Sequence, residues 1–422
     1  MNKILTTCVL LLGPIATESS WDQKGEAVAR RQPLLEYSIV GSSSCSKRPC
    51  YREVMNSIPV QAFLLELAKG PAKLQVADAA LQDTPVSVED LLTLRLIRRE
   101  GDQYFLNFAL FTASDVNRIR ETSERYADGL AATFLARRKE IETILGSYDA
   151  PGVDSKAVAY FLLGCASLDW EGLNLTAAMG YRKTTEERPD GNYVPVAQEI
   201  ANASLERIYW GSHNLSLDGI TFTSFGDHHS MPRYMFPDLL WQTPSYSSSF
   251  PDALKAALEQ LLTESFNQDV HKMGRIMLTL RDGQKSSTDL ARSANATVSK
   301  AKMLLRVLVA LDYVREDNGL YRAHIPVLTK RDEAMAREIL AIGNQVMGQW
   351  LSQNYEKIKA ELDDLSFMRN GVPFEEGYTM VWHYLFGITN RKLVEAGMFA
   401  DPYATTRRHK GAIAAVYDMA LL

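Results

Sequence analysis

The sequence predicts a mainly α-helical protein with small β-hairpins, organised as two related units that are each followed by long helices. Three observations predict it. Stretches of the chain match one another at a period of about 220 residues, which means a duplicated unit and not a solenoid. Apolar residues recur every three or four positions over most of the length. Extended, aromatic-bearing runs are few, and they flank short Gly- or Asn-Gly-containing turns.

The repeat is carried by particular residues. Aligning Tyr104 with Tyr321 also aligns Thr112 with Thr329 and Asp115 with Asp332. Helical stretches at 113–145 and 330–363 follow. Then Tyr160-Phe161-Leu162-Leu163-Gly164 parallels His383-Tyr384-Leu385-Phe386-Gly387. The expected organisation is a leader at 1–54, a first repeat at 55–185, an aromatic-rich inter-repeat segment at 186–264 and a second repeat at 265–422.

The leader opens with Lys3 and an apolar run from Ile4 to Ile15, which has the look of a secretory signal but is too short to span a bilayer. It reads as a disordered extension, as an export signal, or as sequence upstream of a start at Met55. The preferred reading is a leader without structural role on a cytoplasmic protein. Of the four cysteines, three lie in the first 50 residues, so the body has no disulfide scaffold and no cysteine-based zinc site. Cys165 reads as inert core.

In the second repeat, Val270, Met273, Ile276, Met277 and Leu280 share one helical face, and Asp282-Gly283 ends that helix. Ser286, with Asp289 three residues on, has the spacing of a helix cap. A short helix follows at 287–294, with Leu290 and Ala291 inward. Asn295-Ala296 makes a turn, and Thr297 caps a longer helix at 298–312 that buries Leu304, Leu305, Leu308 and Leu311. Asp317-Asn318-Gly319 then separates Tyr313-Val314-Arg315 from Leu320-Tyr321-Arg322, a hairpin signal because Asn-Gly accepts positive φ at both turn positions.

This order of elements resembles the winged helix-turn-helix transcription regulators of the ArsR and MarR kind. The residues that carry it are Ser286 to Ala291, Val298-Ser299-Lys300, Leu308 to Val314 and the Asp317-Asn318-Gly319 wing tip. The first repeat is a degenerate version, with helices at 58–68 and 73–80, a third beginning at Ser87, and a turn at Glu100-Gly101-Asp102. The resemblance implies a third helix in the major groove of double-stranded DNA, and a wing against backbone or minor groove.

Local charge selects between the copies. The chain carries a net charge of −5, so any duplex contact must come from a local basic face. Residues 281–330 hold nine cations against five anions, whereas 58–110 hold five against seven. Phosphate neutralisation dominates affinity, so the second copy is the candidate. Ser299, Lys302 and Arg306 fall on one helical face, with Lys300 beside them at the helix start. Arg315 and Arg322 flank the wing. The predicted DNA-binding set is therefore Ser299, Lys300, Lys302, Arg306, Arg315 and Arg322. The same pattern also describes an ordinary solvated face.

No phosphate loop, dinucleotide fingerprint, serine-hydrolase elbow or His-Glu-x-x-His occurs, and the chain reads as a non-enzyme without cofactor. Asp227-His228-His229 is the one cluster with the donor types of a metal-dependent hydrolase. Two further expectations follow. A small-molecule effector would be sought in the inter-repeat segment or near Trp382-His383-Tyr384, and two repeats in one chain could stand in for a dimer or form a further homodimer. A protein-interaction module without DNA binding is the alternative. No segment is long enough for a membrane partner.

Overall fold

The computed structural model describes residues 33–200, 207–227, 236, 252, 255–256 and 266–421. They divide into two compact units. The first draws its described residues from Met1–Arg125, Leu173–Ser204 and Leu351–Leu385, the second from Tyr126–Gly172, Leu205–Trp350 and Phe386–Leu422. Each unit therefore mixes segments distant in the chain, and the helices at 126–172, which the sequence reading put in a first repeat, belong to the second unit.

The first unit opens with β1 (Leu35–Ser43), α1 (Tyr51–Met55) and α2 (Ile58–Lys69). Next come β2 (Ala72–Lys73), α3 (Leu74–Leu81), α4 (Val88–Thr93), β3 (Ile97–Glu100), β4 (Gln103–Leu106) and β5 (Ala109–Phe111). The three short strands pair in the order β2-β4-β3. A second sheet holds β1 antiparallel to β7 (Gly191–Glu199), with β5 parallel to β7 on its other edge and β6 (Glu187–Arg188) also on β7. A disulfide links Cys45 to Cys50 between β1 and α1.

The second unit opens with two strands and one helix where the first has one strand and two helices, and from there its short strands and helices run in the same order. β8 (Tyr209–Leu217) and β9 (Ile220–Asp227) precede α9 (Phe266–Leu280), β10 (Lys285–Ser286), α10 (Ser287–Ser293) and α11 (Val298–Ala310). β11 (Val314–Asp317), β12 (Leu320–Ala323) and β13 (Val327–Leu328) follow. Here the short sheet runs β10-β12-β11. The larger sheet sets β9 antiparallel and β13 parallel to β14 (Ala412–Asp418).

Long helices start at the same place in both halves. Thr112 N and Oγ1 donate to Asp115 Oδ2 (2.8 and 2.9 Å) where α5 (Ala113–Ala136) begins. Thr329 N and Oγ1 donate to Asp332 Oδ2 (2.9 and 3.3 Å) just before α12 (Glu333–Glu361). Each pair satisfies donors that a helix start leaves orphaned.

The expectation of a mainly α protein is corrected. The fold is mixed, 53% helix and 20% strand, with four sheets instead of two hairpins. The larger sheets were missed for a physical reason. β9 is buried at every position, β14 at all but its last and β7 from Tyr193 to Gln198, so burial does not alternate along them. A strand covered on both faces need not show the in–out pattern by which a sequence marks a half-buried one. The structure also makes β1 and α1 from residues 35–55, which the sequence reading put in a leader or at its edge. The segment read as inter-repeat supplies β7 to one unit and β8 and β9 to the other.

One core in the second unit joins sheet to helices. Ile220 and Phe222 of β9 and Ala414 and Val416 of β14 meet Val270, Met273, Ile276 and Met277 of α9. The same cluster includes Leu304, Leu305 and Leu308 of α11 and Leu311 and Tyr313 beyond it. At about 1.5–3 kcal/mol per large apolar side chain, this burial fixes the α11 axis against the sheet.

Candidate nucleic-acid interface

The local chemistry of α10 and α11 sets which of their side chains face solvent. Ser286 Oγ accepts from Asp289 N (3.2 Å), and Thr297 Oγ1 accepts from Lys300 N (3.2 Å). Asn295, at φ +49°, turns the chain between the two helices. Ala301, Leu304, Leu305, Val307 and Leu308 of α11 are buried, which leaves the opposite face to solvent. On it lie Ser299, Lys302 and Arg306, all exposed, with Val298 39% exposed at the helix start. The β11–β12 ribbon turns through Asn318 (φ +50°) and Gly319 (φ +77°), the left-handed pair its two-residue loop needs.

Three of the six expected contact residues are engaged or covered elsewhere. Lys300 Nζ lies 2.5 Å from Oδ2 of Asp269, a fully buried carboxylate on α9. Arg315 Nη2 pairs with Asp312 Oδ1 at 2.9 Å and lies 3.0 Å from His324 Nε2. Arg322 is half-buried against Gly152. The exposed face thus reduces to Ser299, Lys302 and Arg306.

Sequence reasoning missed the hydrogen-bond donors at the other end of α11, one of them cationic. Arg408 Nη1 donates to the carbonyl oxygens of Val309 (2.9 Å) and Ala310 (3.3 Å), and His409 Nε2 lies 3.0 Å from the Ala310 oxygen. Cations at a helix C-terminus meet its orphaned carbonyls and the negative end of its dipole. The run Arg407-Arg408-His409-Lys410 was the available signal.

The first unit's counterpart differs. α4 has six residues, and its capping box joins Ser87 to Asp90 beside exposed Glu89. Nearby cations are spent locally, Arg98 on Glu100 (2.7 Å) and Arg99 on the Gly101 carbonyl (3.1 Å).

Asp227 is buried, and its Oδ2 accepts from Arg207 N and Tyr403 Oη, both at 2.7 Å. His228 and His229 lie outside the described residues. Among the described residues, Cys45, Cys50 and Asp190 place donor atoms within 4.8 Å of one another. Those sulfurs form the disulfide, and Asp190 accepts from Ser43 Oγ, Tyr51 N and Tyr193 Oη, so the set suits structure better than metal.

The expected effector stretch is closed as well. Trp382 and His383 are wholly buried and Tyr384 is 1% exposed, with Tyr384 Oη donating to Gln198. A concavity of about 250 Å³ lies instead along α9, where Asp218, His271, Lys272, Arg275 and Asn295 contribute to its wall. Among the described residues no helix is long and apolar enough to cross a membrane. No family model matches the chain, and neither a curated protein nor a solved structure matches it.

Proposed function

We propose that the chain binds double-stranded DNA through α11 of the second unit and acts as a transcription regulator. One observation carries the reading. A capped helix–turn–helix followed by an antiparallel ribbon presents Lys302 and Arg306, with Ser299, on the solvent face of α11 of a chain whose net charge is −5. This arrangement resembles a winged helix-turn-helix. The shared element order and the twin Thr-x-x-Asp helix starts support a duplicated unit, with the first copy degenerate as a reader. Lys302 meets phosphate or guanine, Arg306 offers its fork to guanine O6 and N7, and Ser299 contacts the backbone.

Titration of a random duplex pool at stepped salt tests the proposal. The expected result is micromolar-class affinity that falls steeply with salt and weakens on Lys302→Ala and Arg306→Ala. Binding absent at low salt, or indifferent to both substitutions, overturns it.

A second reading applies to the first unit alone. Its α4 carries Glu89 and Asp90 in the first turn, which disfavours a phosphate backbone and leaves a protein partner as the alternative there. A cytoplasmic location accompanies the regulator reading, and the Cys45–Cys50 disulfide weighs against it, because such bonds persist mainly in oxidising compartments. The location requires that the pair be found reduced in alkylated whole-cell extract.

A further inference from the structure

The concavity of about 250 Å³ in the second unit lies where three elements meet. The β8–β9 turn supplies Asp218 and the α10–α11 turn supplies Asn295. α9 supplies Gln268, His271, Lys272 and Arg275. Those four fall at i, i+3, i+4 and i+7, so they share one face of the helix. The volume is below the roughly 300–1,000 Å³ of pockets for drug-sized ligands, which limits an occupant to a small metabolite.

The close approach of helix to sheet is built in. Gly274 sits inside α9, where glycine weakens a helix. A β-carbon there would fall 3.0 Å from both Cδ1 and Cγ2 of Ile220 on β9. α9 therefore rests directly on the strand. One turn earlier, His271 Nδ1 comes within 3.9 Å of Asp218 Oδ2.

The charge of this wall is not balanced. Other cations of the unit have carboxylate partners: Lys300 has Asp269, Arg281 has Asp332 and Arg292 has Asp289. Lys272 and Arg275 make no hydrogen bond or ion pair among the described residues. They stand at i and i+3, where β-carbons lie about 5–6 Å apart and like charges repel. Asp218 is the carboxylate of the wall, and it faces His271.

We propose that this concavity binds a small dicarboxylate of four or five carbons, with Lys272 and Arg275 each holding one carboxylate. Two carboxylates on a short chain satisfy both cations at once, and the guanidinium fork takes carboxylate oxygens in pairs. Gln268 and Asn295 offer amide donors to the oxygens that remain. The site also bears on α11. Asn295 turns the chain into α11, and Asp269 of α9 holds Lys300 in its first turn. A ligand that bridges α9 and Asn295 therefore acts as an effector on the position of α11. That effector role rests on the duplex reading proposed above, whereas the ligand site does not.

Calorimetric titration of the full chain with succinate and with glutarate, at constant ionic strength, tests the site. Wild type is expected to show saturable binding of at least one, and none of succinamide, the neutral analogue. Arg275→Gln and Lys272→Gln should weaken binding roughly tenfold each, because each removes a charge-assisted bond, and Arg275→Lys should weaken it less. Asp218→Asn should tighten binding several-fold, since it removes the wall's negative charge while asparagine tolerates the local φ of +46°. Lys357→Gln, an exposed cation on α12, should leave binding unchanged. Arg275→Gln should melt as wild type in ligand-free buffer, which separates lost binding from lost fold. Binding of neither dicarboxylate, equal binding of succinamide, or an unchanged affinity in both Arg275→Gln and Lys272→Gln overturns the site. Duplex titration with and without the bound dicarboxylate decides the effector role. A shift in duplex affinity that Arg275→Gln abolishes supports the role, and an unmoved affinity overturns it. A chain that binds dicarboxylate but no duplex keeps the site and loses the duplex reading, so the two fail separately.

Discussion

Lys300 Nζ and Asp269 Oδ2 stand 2.5 Å apart, and this pair ties the first turn of α11 to α9. The carboxylate is fully buried and the ammonium side chain is 27% exposed. Removing the cation leaves a buried charge with less compensation, which is costly even where the pair itself adds little. Lys300→Met is therefore expected to destabilise the second unit by ~2 kcal/mol, or about 5 °C in melting temperature, while the salt slope of duplex binding stays as in wild type. Thermal denaturation beside duplex titration checks this. A lowered slope with intact stability would return Lys300 to the interface.

The deepest ionic contact joins the end of α9 to the start of α12. Arg281, 1% exposed, reaches Asp332 through Nε (3.1 Å) and Nη2 (2.5 Å), and its guanidinium lies 4.3 Å from the centre of the Tyr148 ring. Asp332 also caps its own helix through Thr329. Arg281→Met is expected to cost ~4 kcal/mol, the largest single effect among the charged residues of this unit. Asp149→Asn, which removes the exposed partner 2.9 Å from Arg281, should move the melting temperature little. Denaturant unfolding of the two variants decides the ranking.

Two buried histidines should make the same unit lose stability as acid is added. Burial lowers the proton affinity of His324, where Asp312 partly offsets it, and of His409, where the Ala310 carbonyl does. The unfolded chain then takes up protons first as pH falls through the ordinary value of 6.5, so stability declines from there until the folded imidazoles titrate. A melting temperature falling between about pH 7 and about pH 5, with a shallower fall in His409→Gln, is the expected outcome. A flat profile across that range contradicts it.

The exposed face of α11 should behave as a unit of function, not of stability. Lys302→Ala and Arg306→Ala are each expected to lower the salt slope by about one and leave the melting temperature in place. The double variant should bind no duplex measurably, because the short acidic α4 offers no replacement surface. Retained binding in the double variant would move the duplex to another face.

Local signals were legible in the sequence, and distant ones were not. Ser286 and Thr297 cap their helices through bonds to residues three positions away, and Asn318-Gly319 forms its turn from its own φ preferences. Such features depend on neighbours in the chain. By contrast, Lys300 looks like any cation at a helix start until α9 brings Asp269 to it from 31 positions away. β7 and β14 lack the in–out pattern of a half-buried strand because both their faces are covered. Arg408 and His409 carry no local signal of a partner until the chain returns them to the end of α11.

Lysine footprinting tests the central claim most directly. The chain is acetylated with and without excess duplex, and each lysine is quantified by mass spectrometry. Lys302 is expected to be strongly protected by duplex, while Lys272 and Lys357 react equally in both states. Equal acetylation of Lys302 with and without duplex would contradict the account.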